Sequence, residues 1–268
     1  MKRQATNAFF INNPVFSLDL ATEVLSPPGG KAGTVERLKY HLGKGRLKRV
    51  AREIYAVIPP GTSAEQFQPD PFLVAIAVRP KGIFGYHSAL ELLGVSHSYW
   101  SICTLFAAKI RRPIRLNGTT VKFLKHPKAF RSMGECNLGT RKVERLGKVL
   151  SCTGPERTLV EGFNRPELAG GLEEFLASAS GFPVLNLELL EKILQVYDIR
   201  QLWASVGWFL ERFQETFHVS EEMLERMEYN RPKSPQYLIR RRRGGVLQSR
   251  WSLILPDEIE EFGESNVP

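Results

Sequence analysis

The stretch Thr34–Gly61, "TVERLKYHLGKGRLKRVAREIYAVIPPG", decides how the front of this chain is read. A step of ~100° per residue puts Val35, Leu38 and Leu42 on one side of a helix and Arg37, Tyr40, His41 and Lys44 on the other. Gly43 and Gly45 end that helix. Arg46, Lys48, Arg49 and Arg52 follow before the chain turns apolar at Ile54-Tyr55-Ala56-Val57. This is the pattern of strand, turn and strand with a cationic edge.

Upstream, Ser17 precedes Leu18-Asp19-Leu20-Ala21-Thr22-Glu23-Val24-Leu25, a cap followed by an acid in the first turn and an apolar stripe. Ser26-Pro27-Pro28-Gly29-Gly30 stops this helix, and the next runs from about Thr34 to Leu42. Helix, turn, amphipathic helix and basic hairpin, in that order, predict a winged helix-turn-helix over residues 1–61. The second helix of such a unit enters the major groove of duplex DNA while the hairpin lies along phosphates. The expected DNA-binding set is therefore Thr34 at the head of the helix, Arg37, Tyr40, His41 and Lys44 on its outer face, and Arg46, Lys48, Arg49 and Arg52 on the wing.

Charge supports that direction. The chain has 268 residues, a formal net charge of +9 and 43% apolar residues, the balance of a globular protein with an anionic partner. The cations gather in front: Lys31 to Arg52 holds eight against Glu36 alone, and residues 109–148 are again basic. From Ser151 to Asn230 acids prevail, which suggests a second, different partner for the rear. The longest apolar run, Phe72–Val78, is far short of the ~20 residues of a membrane helix, and Asn12-Asn13-Pro14 follow Met-Lys-Arg before any signal-like core. Cys103, Cys136 and Cys152 form no Cys-x-x-Cys pair and read as buried thiols. A cytoplasmic, membrane-free protein is expected.

Pro59-Pro60-Gly61-Thr62-Ser63 reads as a linker, leaving 66–268 as a second domain. Residues 66–150 are strand-rich, with runs at Trp100–Ala107, Ile114–Leu116 and Thr120–Leu124. The apolar segment after Asp70-Pro71 fits helix or strand equally. Ser88 with Glu91, and Thr153 with Glu156, have capping-box spacing, and Pro155 suits a first helical turn. Residues 151–230 are mainly helical, with an apolar stripe from Ile199 to Phe217. Residues 236–256 read as a hairpin around Gly244-Gly245, and Arg240–Arg243 offer a further cationic stripe. The fold class expected is α+β: a winged helix-turn-helix, then a mixed α/β domain with a helical rear half.

Enzyme motifs are missing. The four aspartates, at 19, 70, 198 and 257, cannot form the Asp-x-Asp of a two-metal nucleotidyl transfer site. No phosphate loop, His-Glu-x-x-His or Gly-x-Ser-x-Gly is present, and His41, His87, His97, His126 and His218 lack metal-ligand spacing. No catalytic residue, metal or cofactor is expected.

Several stretches, taken in order, carry a family resemblance: "NPVFSLDLATEVL", "LKYHLGKGRLKRVAREIYAVIPPG", "DPFLVA", "YHSALELLGV", "TGPERTLVEGFNRPELAGGLEEFL" and "RRRGGVLQSRWSLILP". Together they resemble the AbiEi-type antitoxins and transcriptional regulators of bacterial type IV toxin–antitoxin systems, over about residues 13–256. The resemblance implies a winged helix that binds inverted repeats in its own promoter as a repressor, and a palindromic operator would pair two protomers, as a homodimer or as monomers that meet only on DNA. It also implies a C-terminal antitoxin domain opposing a cognate nucleotidyltransferase-like toxin, without requiring direct contact. Two positions depart from the family pattern: Glu53 stands where wings usually have glycine, and Glu161 where aspartate is more common. A transcriptional regulator with a ligand- or partner-sensing second domain and no toxin is the alternative.

Overall fold

The computed structural model describes residues 2–239, 244–259 and 262, and the fold is α+β. In chain order the first elements are α1 (Lys2–Asn12), β1 (Val15–Ser17), α2 (Leu18–Leu25), α3 (Gly30–Gly43), β2 (Leu47–Ala51) and β3 (Ile54–Val57). Then come α4 (Pro71–Val78), β4 (Ile83–Phe84), α5 (His87–Leu92), β5 (Ile102–Phe106), β6 (Ile114–Arg115), β7 (Thr120–Leu124) and α6 (Lys128–Ser132). The hairpin β8 (Thr140–Arg145) and β9 (Lys148–Thr153) leads into α7 (Pro155–Asn164), α8 (Leu172–Ser180), α9 (Leu187–Tyr197), α10 (Arg200–Arg212), α11 (Gln214–Phe217) and α12 (Glu221–Tyr229). The chain closes with β10 (Gln236–Tyr237), β11 (Val246–Gln248) and β12 (Leu253–Leu255). No helix among the described residues is long and apolar enough to cross a membrane.

The chain divides into two compact units, and the expected linker at 59–63 lies inside the first. Unit 1 takes residues 1–84, 100–125 and 142–151; unit 2 takes 85–99, 126–141 and 152–268. Strand pairing between distant segments draws 100–125 and 142–151 into unit 1, and such pairing leaves no local signal in sequence.

In unit 1, Ser17 caps α2 by accepting the Leu20 N–H at 3.2 Å. α3 begins at Gly30, four residues ahead of the expected Thr34. Gly33 permits this early start, because a Cβ there would lie 2.2 Å from the Pro28 carbonyl oxygen. The hairpin β2–β3 pairs antiparallel, with β3 also paired to β1, giving the order β1–β3–β2. One face of this sheet carries Phe16, Leu47 and Tyr55 into a core with Phe9, Phe10, Leu18 and Leu38. The apolar segment after Asp70 is helical: Asp70 caps α4 by accepting from Leu73 N–H, and Pro71 occupies the first turn. A second sheet runs β6–β7–β5–β4–β9–β8, with β5 and β7 parallel.

Unit 2 is built around α7, whose residues 155–163 are all buried. Here both expected capping boxes fail. Ser88 lies within α5 and is buried, while Tyr86 occupies the cap position with no side-chain cap bond. Gly154, not Thr153, precedes α7; the Thr153 hydroxyl meets Thr158 Oγ1 at 2.7 Å, and Glu156 accepts from Asn186 N–H. At α7 the Glu156 carboxylate is taken by the distant Asn186 N–H rather than by the local cap. Pro155 does stand in the first turn. The terminal sheet has the order β10–β12–β11, and its hairpin turns at 249–252 rather than at Gly244-Gly245. Gly245 is instead needed for close approach, since a Cβ would meet the Leu255 oxygen at 2.0 Å. Arg240–Arg243 lie outside the described residues.

Candidate nucleic-acid interface

Burial on α3 sets which side chains reach solvent. The buried stripe is Thr34, Leu38 and His41, spaced by four and three, with Val35 and Leu42 at its margins. Thr34 is fully buried and its hydroxyl donates back to the Gly30 carbonyl at 3.1 Å. His41 is 8% exposed and stands edge-on to the Phe10 ring, centroids 5.0 Å apart. Burial, with Arg46 and Arg37 adding to it, holds this imidazole below the ordinary histidine range and so uncharged. Thr34 and His41 are therefore withdrawn from the expected DNA-binding set. The helix is rotated relative to the purely apolar estimate because a threonine and a histidine share the core.

The remaining outer face holds Tyr40, 62% exposed, with Lys44 exposed one turn on and Arg37 half-buried beside them. Lys39 also faces solvent but is paired with Glu36 at 2.7 Å. Arg46 is exposed and oriented from α1: Asn7 Oδ1 accepts from its guanidinium at 2.8 Å, and Phe10 lies beneath at 5.7 Å. The sequence reading placed no helix at 2–12 and so missed Asn7.

On the hairpin, Arg49 and Arg52 are exposed. Lys48 is not free: its ammonium donates to the carbonyls of Ala64 at 2.9 Å and Phe67 at 3.0 Å. The following segment thus captures one expected phosphate contact, which corrects the assignment of Lys48. The turn at Arg52-Glu53 is tight, and Glu53 adopts a left-handed backbone, φ +61°. Its carboxylate pairs with Lys31 at 3.1 Å, and Lys31 pairs with Asp19 at the same distance. Those hydrogen bonds raise the Lys31 ammonium above its ordinary range.

Charge is partitioned between the units. Unit 1 carries 21 Lys and Arg against 7 Asp and Glu, a net +14; unit 2 carries 16 against 21, a net −5. The cationic excess of the whole chain belongs to the unit that holds α3 and the hairpin.

The fold is similar to that of the RV2827C protein from Mycobacterium tuberculosis. The match has a TM-score of 0.62 and covers 95% of this chain and 91% of that one, at 15% sequence identity. At that identity the likeness bears on fold alone. No protein-family model matches the chain, and none of the curated proteins does.

The buried acids of α7 are structural in their contacts. Glu161 accepts from Arg157 Nε at 2.8 Å and from the Tyr197 hydroxyl at 3.3 Å, and burial raises its carboxyl above the usual range. Arg157 also donates to the carbonyls of Cys136 and Leu138 and lies over Phe130 at 4.0 Å. Among the described residues, no three His, Cys, Asp or Glu side chains gather as a metal-binding group.

Proposed function

We propose that this chain is a DNA-binding repressor whose residues 1–61 work as a winged helix-turn-helix. The observation that carries this reading is the net +14 of unit 1 set against the net −5 of unit 2. The order α1–β1–α2–α3–β2–β3 supports it, with α3 as recognition helix and β2–β3 as wing. Arg37, Tyr40 and Lys44 face the major groove; Arg46, Arg49 and Arg52 meet phosphates. The partner is an inverted-repeat operator in the chain's own promoter, bound by two copies.

The family resemblance supports the second half of the proposal. The protein acts in the cytoplasm as the antitoxin of a type IV toxin–antitoxin system, opposing a nucleotidyltransferase-like toxin and doing no chemistry of its own. The net negative charge of unit 2 supports a role distinct from DNA binding.

Fluorescence anisotropy with the DNA upstream of the gene tests the first half. Binding at least ~10³-fold tighter than to an unrelated duplex is expected, and equal affinity for both contradicts sequence-specific repression. Co-expression with the adjacent open reading frame tests the second. Growth restored only when this chain is present is expected; a neighbour that never slows growth contradicts the antitoxin role.

A further inference from the structure

Within unit 1 a cleft of about 570 Å³ opens beside the wing tip. Arg52, Arg79, Arg111 and Lys148 line it, together with Asp19, Glu23 and Glu53. Lys31 pairs with both Asp19 and Glu53 and offsets one of their two charges, so the cleft stays net cationic. Lys148 is spent on Asn13 at 2.9 Å. Arg79 is spent on the backbone, donating from Nε to the Lys109 carbonyl at 2.8 Å and from Nη1 to the Val78 carbonyl at 3.0 Å. What Arg79 holds is the loop Lys109-Ile110-Arg111-Arg112. Lys109 and Arg112 are exposed and Arg111 is half-buried at the cleft.

The loop is tied at both ends. The Ala107 N–H donates to the Leu124 carbonyl at 2.8 Å, and β6 begins at the buried Ile114, which pairs with Val121. Residues 100–125 hold six cations and no carboxylate. Arg52, exposed, and Arg111, half-buried, both line this open cleft, and several cations along an open cleft suit an extended polyanion better than a small one. A loop fixed before binding also spends little ordering entropy on contact.

We propose that the loop Lys109–Arg112, held by Arg79, is a second phosphate-binding element, and that Arg52 and Arg111 bracket one strand of DNA backbone across this cleft. The inference rests on the DNA-binding reading above and extends its footprint beyond α3 and the wing.

The test uses the full chain, with the double variant R111A/R112A, whose thermal midpoint is first compared with that of the parent. A labelled duplex from upstream of the gene is titrated at several salt concentrations, then trimmed stepwise at each end. The expected variant binds at least ~5-fold more weakly, with a log–log salt slope shallower by about 1.8. Trimming the flank beyond the wing then costs the parent affinity and the variant none. A parent that binds while the variant keeps the same slope and the same flank dependence overturns this inference and leaves the winged-helix reading standing. A parent that binds no duplex overturns both.

Discussion

The ammonium of Lys31, in the first turn of α3, lies 3.1 Å from the carboxylate of Glu53 at the tip of the β2–β3 hairpin. Glu53 holds φ +61°, a conformation that costs glycine nothing and other residues about 1 kcal/mol. The ion pair is half-exposed and contributes little stability by itself. Its effect is to tie the hairpin tip to α3 while placing a negative charge next to Arg52.

Glu53→Gly relieves the backbone and removes that charge. Thermal stability is expected to stay within about 1 kcal/mol of the parent, and DNA affinity is expected to rise. Glu53→Val combines a β-branched side chain with the same φ and should lose stability. Paired thermal melts and DNA titrations decide both; a Gly variant that binds more weakly would mean that Lys31–Glu53 positions the wing.

Gly33→Ala sets a methyl against the Pro28 carbonyl, a backbone atom that cannot swing aside. We expect a loss of about 2–3 kcal/mol by urea denaturation. A change below about 0.5 kcal/mol would mean that the α2–α3 turn repacks freely.

Arg157→Met leaves the buried Glu161 without its cation and removes the donor from the half-buried Cys136 and Leu138 carbonyls. The expected cost is about 3–5 kcal/mol. R157M/E161Q, which removes the stranded charge as well, should cost clearly less than R157M alone. Denaturation of both variants checks the coupling, and simple additivity would contradict it.

Burial lowers the proton affinity of three histidines: His41, His87 and His126, the last to about 4. The folded state keeps them neutral, whereas the unfolded chain protonates them near pH 6.5. Their contribution is therefore complete above about pH 6.5 and is lost as pH falls toward 4, with His126 worth up to about 3 kcal/mol. Denaturant midpoints measured at descending pH should fall across that window, and H126Q should fall less. Midpoints that rise on acidification would contradict the neutral, buried state.

The hairpin over 47–57 was legible because glycine stops, strand alternation and a two-residue turn are all local. The stretch Leu18–Leu25 was legible for the same reason, its cap being three residues from its donor. The outer face of α3 was misread at Thr34 and His41. Apolar periodicity counts both as polar, and only Phe10, thirty-one positions upstream of His41, shows why the imidazole turns inward. Lys48 failed as a phosphate contact for a related reason, since its acceptors are the carbonyls of Ala64 and Phe67. The loop Lys109–Arg112 read only as basic sequence. Its place follows from the pairing of β5, β6 and β7 and from the Arg79–Lys109 hydrogen bond, which composition does not encode.

The central claim is that unit 1 neutralises DNA phosphates, and salt dependence measures this most directly. In the proposed binding mode Arg46, Arg49 and Arg52, all exposed, meet phosphates, while Arg37 and Lys44 face the groove. Three phosphate contacts predict that the logarithm of affinity falls with the logarithm of salt at a slope of about −2.7, and Arg111 and Arg112 of the second element steepen it to about −4.5. A slope near zero on DNA from upstream of the gene would contradict the account.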